Sequence, residues 1–334
     1  MRNRNMKKIL ITGQNSYIGN AVAEYLEEWN RQQAKMSDGD ATGEMEPETD
    51  CEMYRIDKIS LQSDTWQTMD FSGYDAILHV AGKAHVDVTS VSEEAKELYY
   101  QVNGELPAKV AEKAKAEGVK QFIHLSSVII YGDSAPVGKT KMITKDTIPN
   151  PTNFYGDSKL QGEEKLKPLA DEHFKVAILR LPFVYGKNSK GNYPLLAKLA
   201  DKTPIFPDVN NQRSMLYVEN LAEFIRLLVE RGEGGLFFPQ NAEYTTTAHM
   251  VQQIGAAKGK KIQLWGILNP AVWLASKVPG KIGVLANKAF GSLAVARTLS
   301  GLASQESDSA LAGKMLDDYQ KYSLEESIRR IHED

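Results

Sequence analysis

A hydroxyl, a phenol and an amine follow one another in this chain in an order that suits proton transfer: Ser127 in Leu125-Ser126-Ser127, then Tyr155 and Lys159 in Tyr155-Gly156-Asp157-Ser158-Lys159. The spacing of four places Tyr155 and Lys159 on one face of a helix. A tyrosine with a pKa of about 10 is a poor base at neutral pH, but an ammonium group beside it favours the phenolate. Ser127, at the mouth of a strand, can hydrogen-bond the same substrate hydroxyl and hold it for the transfer. Alone, a Tyr–Lys pair reads as two surface residues of a solvated helix. A serine on a strand end and a glycine-rich turn upstream make the catalytic reading the stronger one.

That turn is Ile9-Leu10-Ile11-Thr12-Gly13-Gln14-Asn15-Ser16-Tyr17-Ile18-Gly19, which runs from strand through turn into helix. Gly13 permits the tight turn, the small Ser16 lets backbone approach a pyrophosphate, and Gly19 lets helix and strand pack closely. The helix amino terminus attracts the phosphates. The turn, Gly13, Asn15, Ser16, Tyr17, Ile18 and Gly19, is therefore expected to bind a dinucleotide. Asp57 is expected at the end of the second strand, where a carboxylate accepts both ribose hydroxyls and favours NAD. If the strand runs further, Ser60 to Gln62 take that position and NADP is open.

The elements that must position these groups are legible as short apolar runs alternating with helical patterns, the signature of a doubly wound, parallel α/β sheet. Strands are expected at Lys8–Ile11, Tyr54–Ile59, Ala76–Val80, Gln121–Leu125 and Val176–Leu179, and helices at Ile18–Arg31, Glu93–Glu117 and Gly156–Leu169. Residues Met36–Met53 hold seven acidic residues and no basic one, a solvated insertion before the second strand. The chain has 334 residues, 25% charged, with net charge −3. This is a globular composition without the basic stripe that nucleic acid requires. Cys51 is the single cysteine, so no intrachain disulfide forms and a reducing, cytoplasmic setting is expected. The apolar run after the basic start is too short for an export signal. Leu264–Gly301 is broken by Pro270, Lys277, Pro279, Lys281, Lys288 and Arg297 and cannot span a bilayer; it is expected to pack on the second domain. Trp66, Trp265 and Trp273 are expected in packing, and His79 and His124 as satisfied core residues. The six histidines, His79, His85, His124, His173, His249 and His332, show no metal-ligand spacing, so no metal is expected.

On these residues the chain resembles the extended short-chain dehydrogenase/reductases, the NAD-dependent epimerase/dehydratase family, and within it the UDP-glucose 4-epimerase and nucleotide-sugar 4-ketoreductase group. The likeness rests on Thr12–Gly19, His79-Val80-Ala81-Gly82-Lys83, Asn103, Ser127, Tyr155–Lys159, Arg180-Leu181-Pro182-Phe183-Val184-Tyr185-Gly186 and Arg213-Ser214-Met215-Leu216-Tyr217-Val218 in family order. It implies a Rossmann-type domain over residues 1–185, rejoined by 214–240, and a smaller, mainly helical substrate domain over 186–213 and 241–334. It implies that Ala81, Gly82, Lys83, Asn103, Tyr155 and Lys159 line NAD and that Pro182 approaches the nicotinamide. Lys83, Ser127, Tyr155 and Phe183 would then meet the sugar, while Asn192 and Arg213 meet the diphosphate of a UDP-linked hexose, in a cleft between Tyr185 and Tyr217. Phe183 stands where many 4-epimerases carry Asn, and Ser214 where Asp commonly follows the arginine. Val128 and Ile129 replace the acidic pair of sugar dehydratases, so loss of water is disfavoured. The expected activity is 4-epimerisation through a 4-keto sugar; NAD(P)H-dependent 4-ketoreduction and a silent dinucleotide sensor are the alternatives, and a homodimer is an open assembly.

Overall fold

The computed structural model describes residues 6–39, 53–84, 91–300 and 319–333. Cys51, His85 and most of the acidic stretch lie outside them. The chain divides into two compact units: Met1–Ser126, Asp157–Leu179 and Ala222–Leu236 form the first, and Ser127–Gly156, Arg180–Leu221 and Phe237–Asp334 the second. Residues 127–156 and 180–185 thus fall in the second unit.

The first unit is built on a six-stranded sheet. Its strands are β1 (Met6–Thr12), β2 (Met53–Ile59), β3 (Ala76–His79), β4 (Gln121–Ser127), β5 (Lys175–Leu181) and, after a short pair introduced below, the strand Gly235–Phe237, here β8. The order is β8-β5-β4-β3-β1-β2. β1 pairs in parallel with β2 and β3, and β3 with β4, with Leu10 opposite Asp57 and Ile77 opposite Phe122. The winding therefore reverses at β1, and the crevice beyond the carboxyl ends of β1 and β3 is where such sheets take ligands. Both sheet faces are apolar. Leu10, Ile77, Phe122 and Ile178 join Trp66, Phe71, Val110, Ala114 and Phe174 in one buried cluster, while Ile9, Ile11, Leu78 and Ile123 are equally buried. Continuous Ile, Val and Leu runs are what strands covered on two sides require.

Helix α1 (Tyr17–Gly39) follows β1 and runs eight residues past the expected Arg31, taking in the start of the acidic stretch. The expected single helix Glu93–Glu117 is a helix with a wider turn inserted: Glu93–Tyr99, a π-helical Tyr100–Glu105, then α2 (Leu106–Ala116). The cause lies in the sequence. Pro107 has no N–H to give the carbonyl of Asn103 and its ring displaces that carbonyl, while the N–H of Leu106 reaches back to Gln101. Helix α3 (Phe154–Leu166) carries Tyr155 in its first turn.

His79 and His124 depart from expectation. Both are buried on adjacent strands with rings 5.6 Å apart. His79 Nδ1 meets Thr12 Oγ1 at 2.8 Å, but His79 Nε2 and both nitrogens of His124 have no partner among the described residues. Burial pushes both imidazoles down, His79 from 6.5 to about 3, with the Lys159 charge adding to the effect.

The second unit holds β6 (Phe183–Tyr185) paired in parallel with β7 (Met215–Tyr217), and the helices α4 (Asn192–Lys202), α6 (Thr247–Ala257), α7 (Asn269–Lys277), α8 (Lys281–Phe290) and α9 (Leu324–His332). Helix α5 (Val218–Arg231) leads from β7 into the first unit. Tyr185 is a hub, bonded to Ser327 at 2.7 Å and Asn241 at 2.9 Å and stacked on Tyr193. Trp66 is buried as expected, but Trp265 and Trp273 are 43% and 49% exposed. Trp273 lies on α7, which packs with α8, and Trp265 ends the short strand Gln263–Trp265; neither side chain is covered by the described residues.

His124→Leu removes an unsatisfied buried ring, and an unmet polar group costs about 1–3 kcal/mol. The variant is expected to be at least as stable as the parent at neutral pH. Unfolded imidazoles bind protons below their ordinary pKa and the buried ones do not, so stability falls as pH drops from about 6.5, by up to about 1.4 kcal/mol per pH unit for each ring. Denaturant melts across that range check this; an unchanged acid slope in His124→Leu would exclude His124 as a source.

Candidate active site

The turn after β1 is shaped by what cannot fit there. Gly13 has φ +100°, and a Cβ on it would stand 3.0 Å from the Ala81 nitrogen; one on Gly19 would stand 2.9 Å from Val80 Cγ2. The N–H groups of Gly13 and Gln14 bind the Ile59 carbonyl at 2.8 and 3.0 Å. Asn15 is exposed at the bend, and Ser16 Oγ accepts the Gly19 N–H at 3.3 Å, capping the helix that Tyr17 and Ile18 begin. The result is a bare backbone cradle at a helix amino terminus, which fits a dinucleotide diphosphate. A separate concavity lined by Asp75, Gln121, Phe174 and Lys175 opens at the other, amino ends of the strands, away from the end where open parallel sheets bind ligands.

Asp57 is not at the strand end. β2 continues to Ile59, two residues or about 7 Å beyond it. Its carboxylate instead accepts the Tyr74 hydroxyl at 3.0 Å and lies 3.5 Å from Arg55. Burial and the Asp57 carboxylate push the Tyr74 phenol up to about 12. Ser60 to Gln62 hold the position after the strand, with Ser60 Oγ accepting the Gln62 N–H.

Beyond β3, Ala81-Gly82-Lys83 forms a shelf held by Asn103. The Asn103 carboxamide accepts the Lys83 N–H at 2.9 Å and donates to the Lys83 carbonyl at 3.0 Å and to Ser158 Oγ at 3.1 Å. The π turn presents Asn103 here; its carbonyl lies so near Gly162 that a Cβ there would come within 2.3 Å. Lys83 itself sits over the Tyr99 ring at 5.6 Å.

Lys159 is buried, with Nζ donating to the Leu125 carbonyl at 3.0 Å. A Cβ on Gly82 would be 3.2 Å from that nitrogen. Burial brings the ammonium down to about 8, against a raising effect from the Glu163 carboxylate. Glu163 is itself buried and accepts the Ser126 hydroxyl. The sequence reading missed Glu163, although Tyr155, Lys159 and Glu163 form a four-residue ladder on α3.

In the second unit, Ser127 ends β4 and caps the turn Val128–Tyr131, its Oγ accepting the Ile129 N–H at 3.3 Å. Gly156 brings the first turn of α3, with Tyr155, against that turn: a Cβ on it would stand 2.9 Å from the Ile129 carbonyl. Pro182 is buried and Phe183 half-buried at the start of β6, and Asn192 opens α4. Arg213 gives Nε to the Gly291 carbonyl at 3.0 Å and Nη2 to that of Lys288, so it caps the carboxyl end of α8; burial lowers its guanidinium to about 10. Tyr185 and Tyr217 leave no cleft between them, since their buried rings lie 5.7 Å apart. Among the described residues no group of three or more His, Cys, Asp or Glu could hold a metal.

Known proteins carry the same arrangement of chain. UDP-glucose 4-epimerase of Vibrio cholerae is 27% identical over 298 residues, covering 86% of this chain and 87% of its own. An N-acetyl-alpha-D-glucosaminyl-diphospho-ditrans,octacis-undecaprenol 4-epimerase of Escherichia coli O157:H7 is 32% identical over 170 residues, 49% of this chain and 48% of that one. The solved UDP-glucuronic acid 4-epimerase from Bacillus cereus in complex with NAD shares the fold, with TM-score 0.62 at 18% identity over 97% of this chain and 95% of that one. The stretch from β1 to the end of β8, residues 9–237, matches the NAD dependent epimerase/dehydratase family. With its glycine cradle, its Lys83 shelf and its Ser127, Tyr155 and Lys159, this chain is an NAD(P)-dependent enzyme that belongs to that family.

Proposed function

We propose that this enzyme is a 4-epimerase of a UDP-linked hexose. The observation that carries the reading is the burial of Lys159 one helical turn after Tyr155, with its amine brought down to about 8. An ammonium in that setting favours a neighbouring phenolate, so Tyr155 can take the proton of the sugar 4-hydroxyl near neutral pH. Ser127 retains a hydroxyl proton with which to hold the same oxygen, because the Ile129 N–H uses only one of its lone pairs. The dinucleotide supplies the acceptor for the C4 hydride. Gly13 to Gly19 would hold its diphosphate, the Ala81–Lys83 backbone would flank it, and Ser60 to Gln62 would meet the adenosine ribose without a carboxylate, which leaves NADP open. Arg213 keeps Nη1 for the diphosphate of the substrate while it caps α8. Val128 and Ile129 offer no group for loss of water. Reduction of a ready-made 4-keto sugar would use the same three residues, and products from a panel of UDP-hexoses and 4-keto sugars separate the two.

Tyr155→Phe is expected to lower turnover roughly 100- to 10,000-fold while cofactor binding and folding persist; near-normal turnover would remove Tyr155 from the chemistry. Glu163→Gln withdraws the carboxylate that raises Lys159, so the alkaline limb of the rate profile, set by loss of the Lys159 proton, should move to lower pH. A limb that stays in place would sever Glu163 from Lys159. In Asp57→Ala, titrations should show NAD and NADP changed by similar, small factors, because the carboxylate is engaged by Tyr74; a loss confined to NAD would return Asp57 to the ribose.

A further inference from the structure

Beyond the catalytic face, an unexplained feature is the exposed surface of α7, α8 and the strand Gln263–Trp265 before them. Trp265, Ile267, Trp273, Leu274, Ile282 and Leu285 are each between 43% and 81% exposed. Large apolar side chains exposed together on neighbouring elements point to an interaction site.

The hairpin is rigidly made. Asn287 Nδ2 donates to the Ser276 carbonyl at 3.0 Å and to that of Gly283 at 2.9 Å, and its Oδ1 accepts the Val137 N–H at 3.0 Å. A Cβ on Gly283 would come within 2.1 Å of the Val278 carbonyl. The exposed face is thus a built surface rather than a frayed end.

Its charge says what covers it. Residues 269–290 contain three lysines and no Asp or Glu, in a chain whose net charge is −3, whereas Lys258 and Lys260, before the hairpin, are paired with Asp201. Lys277, Lys281 and Lys288 are exposed beside the apolar side chains. Two copies meeting through this face would oppose like charges, whereas an anionic surface matches it. Lysines flanking an apolar face carry their charge to phosphate while their stems lie on hydrocarbon, and exposed tryptophans favour the boundary between water and lipid. At nine and ten residues, α7 and α8 are too short to cross a bilayer, and no described helix is long and apolar enough to do so.

We propose that the α7–α8 hairpin docks this protein on an anionic lipid bilayer, lying in the plane of the headgroups. The catalytic reading and this one stand apart: vesicle binding needs no turnover, and turnover of a soluble UDP-sugar needs no vesicle.

The test is flotation of the full chain with vesicles of phosphatidylcholine alone or with phosphatidylglycerol added, beside cofactor titration and thermal melts as folding controls. The parent protein is expected to float with anionic vesicles, less with neutral ones, and to be released by salt. Lys277→Glu with Lys281→Glu and Lys288→Glu should lose roughly tenfold or more in vesicle affinity. Trp273→Ser with Leu274→Ser and Leu285→Ser should lose binding while binding cofactor normally. A parent protein that stays with the soluble fraction at both compositions overturns the proposal. So does a serine variant that floats as the parent does, or one whose only change is dissociation of a dimer in sedimentation, which would make the face a contact between copies.

Discussion

An amine taken out of water must be held by dipoles and charge, and the surroundings of Lys159 are arranged around that requirement. Lys159 is buried against the Leu125 carbonyl, with Glu163 offsetting part of the cost of its charge. The carboxylate opposes the effect of burial and favours the ammonium form. Their own burial depresses His79 and His124, and the charge of Lys159 adds to the effect. Neither imidazole is therefore expected to carry charge there at neutral pH.

Positioning of the shelf beside Lys159 is inherited from a helix defect. Pro107 denies the Asn103 carbonyl its usual partner, the turn widens, and the carboxamide reaches both polar groups of Lys83. Gly162 is the complementary concession on α3, since any side chain there would strike the Asn103 carbonyl. A proline and a glycine thus fix how the Lys83 shelf and α3 meet the π turn.

The glycine turn, the five long strands and the spacing of Tyr155 from Lys159 were legible because each rests on a local rule: backbone freedom, two-sided burial or helical period. The second strand was expected over Tyr54–Ile59 and so already ran past Asp57; what no local rule gives is that the Asp57 carboxylate meets the Tyr74 hydroxyl, seventeen residues on. Trp265 and Trp273 were misjudged because composition says that a tryptophan belongs against apolar neighbours and not whether those neighbours face inward. Tyr185 and Tyr217 were expected to flank a cleft, but β6 and β7 pair directly and bring the rings together. Glu163 was legible in principle, as the third rung of a ladder whose first two were recognised.

The capping of α8 by Arg213 has a thermodynamic side. A guanidinium holds its five N–H donors fixed in one plane, and Nε and Nη2 of Arg213 already meet the carbonyls of Gly291 and Lys288, so an anion drawn to Arg213 shares one rigid group with them. Occupancy of the arginine and order at the end of α8 then become two readings of a single coupling free energy. By reciprocity, whatever tightens the helix end alters anion affinity by the same factor with which the anion alters the helix end. A surface hairpin and a phosphate-sized ligand would be coupled through one side chain, with no moving domain between them.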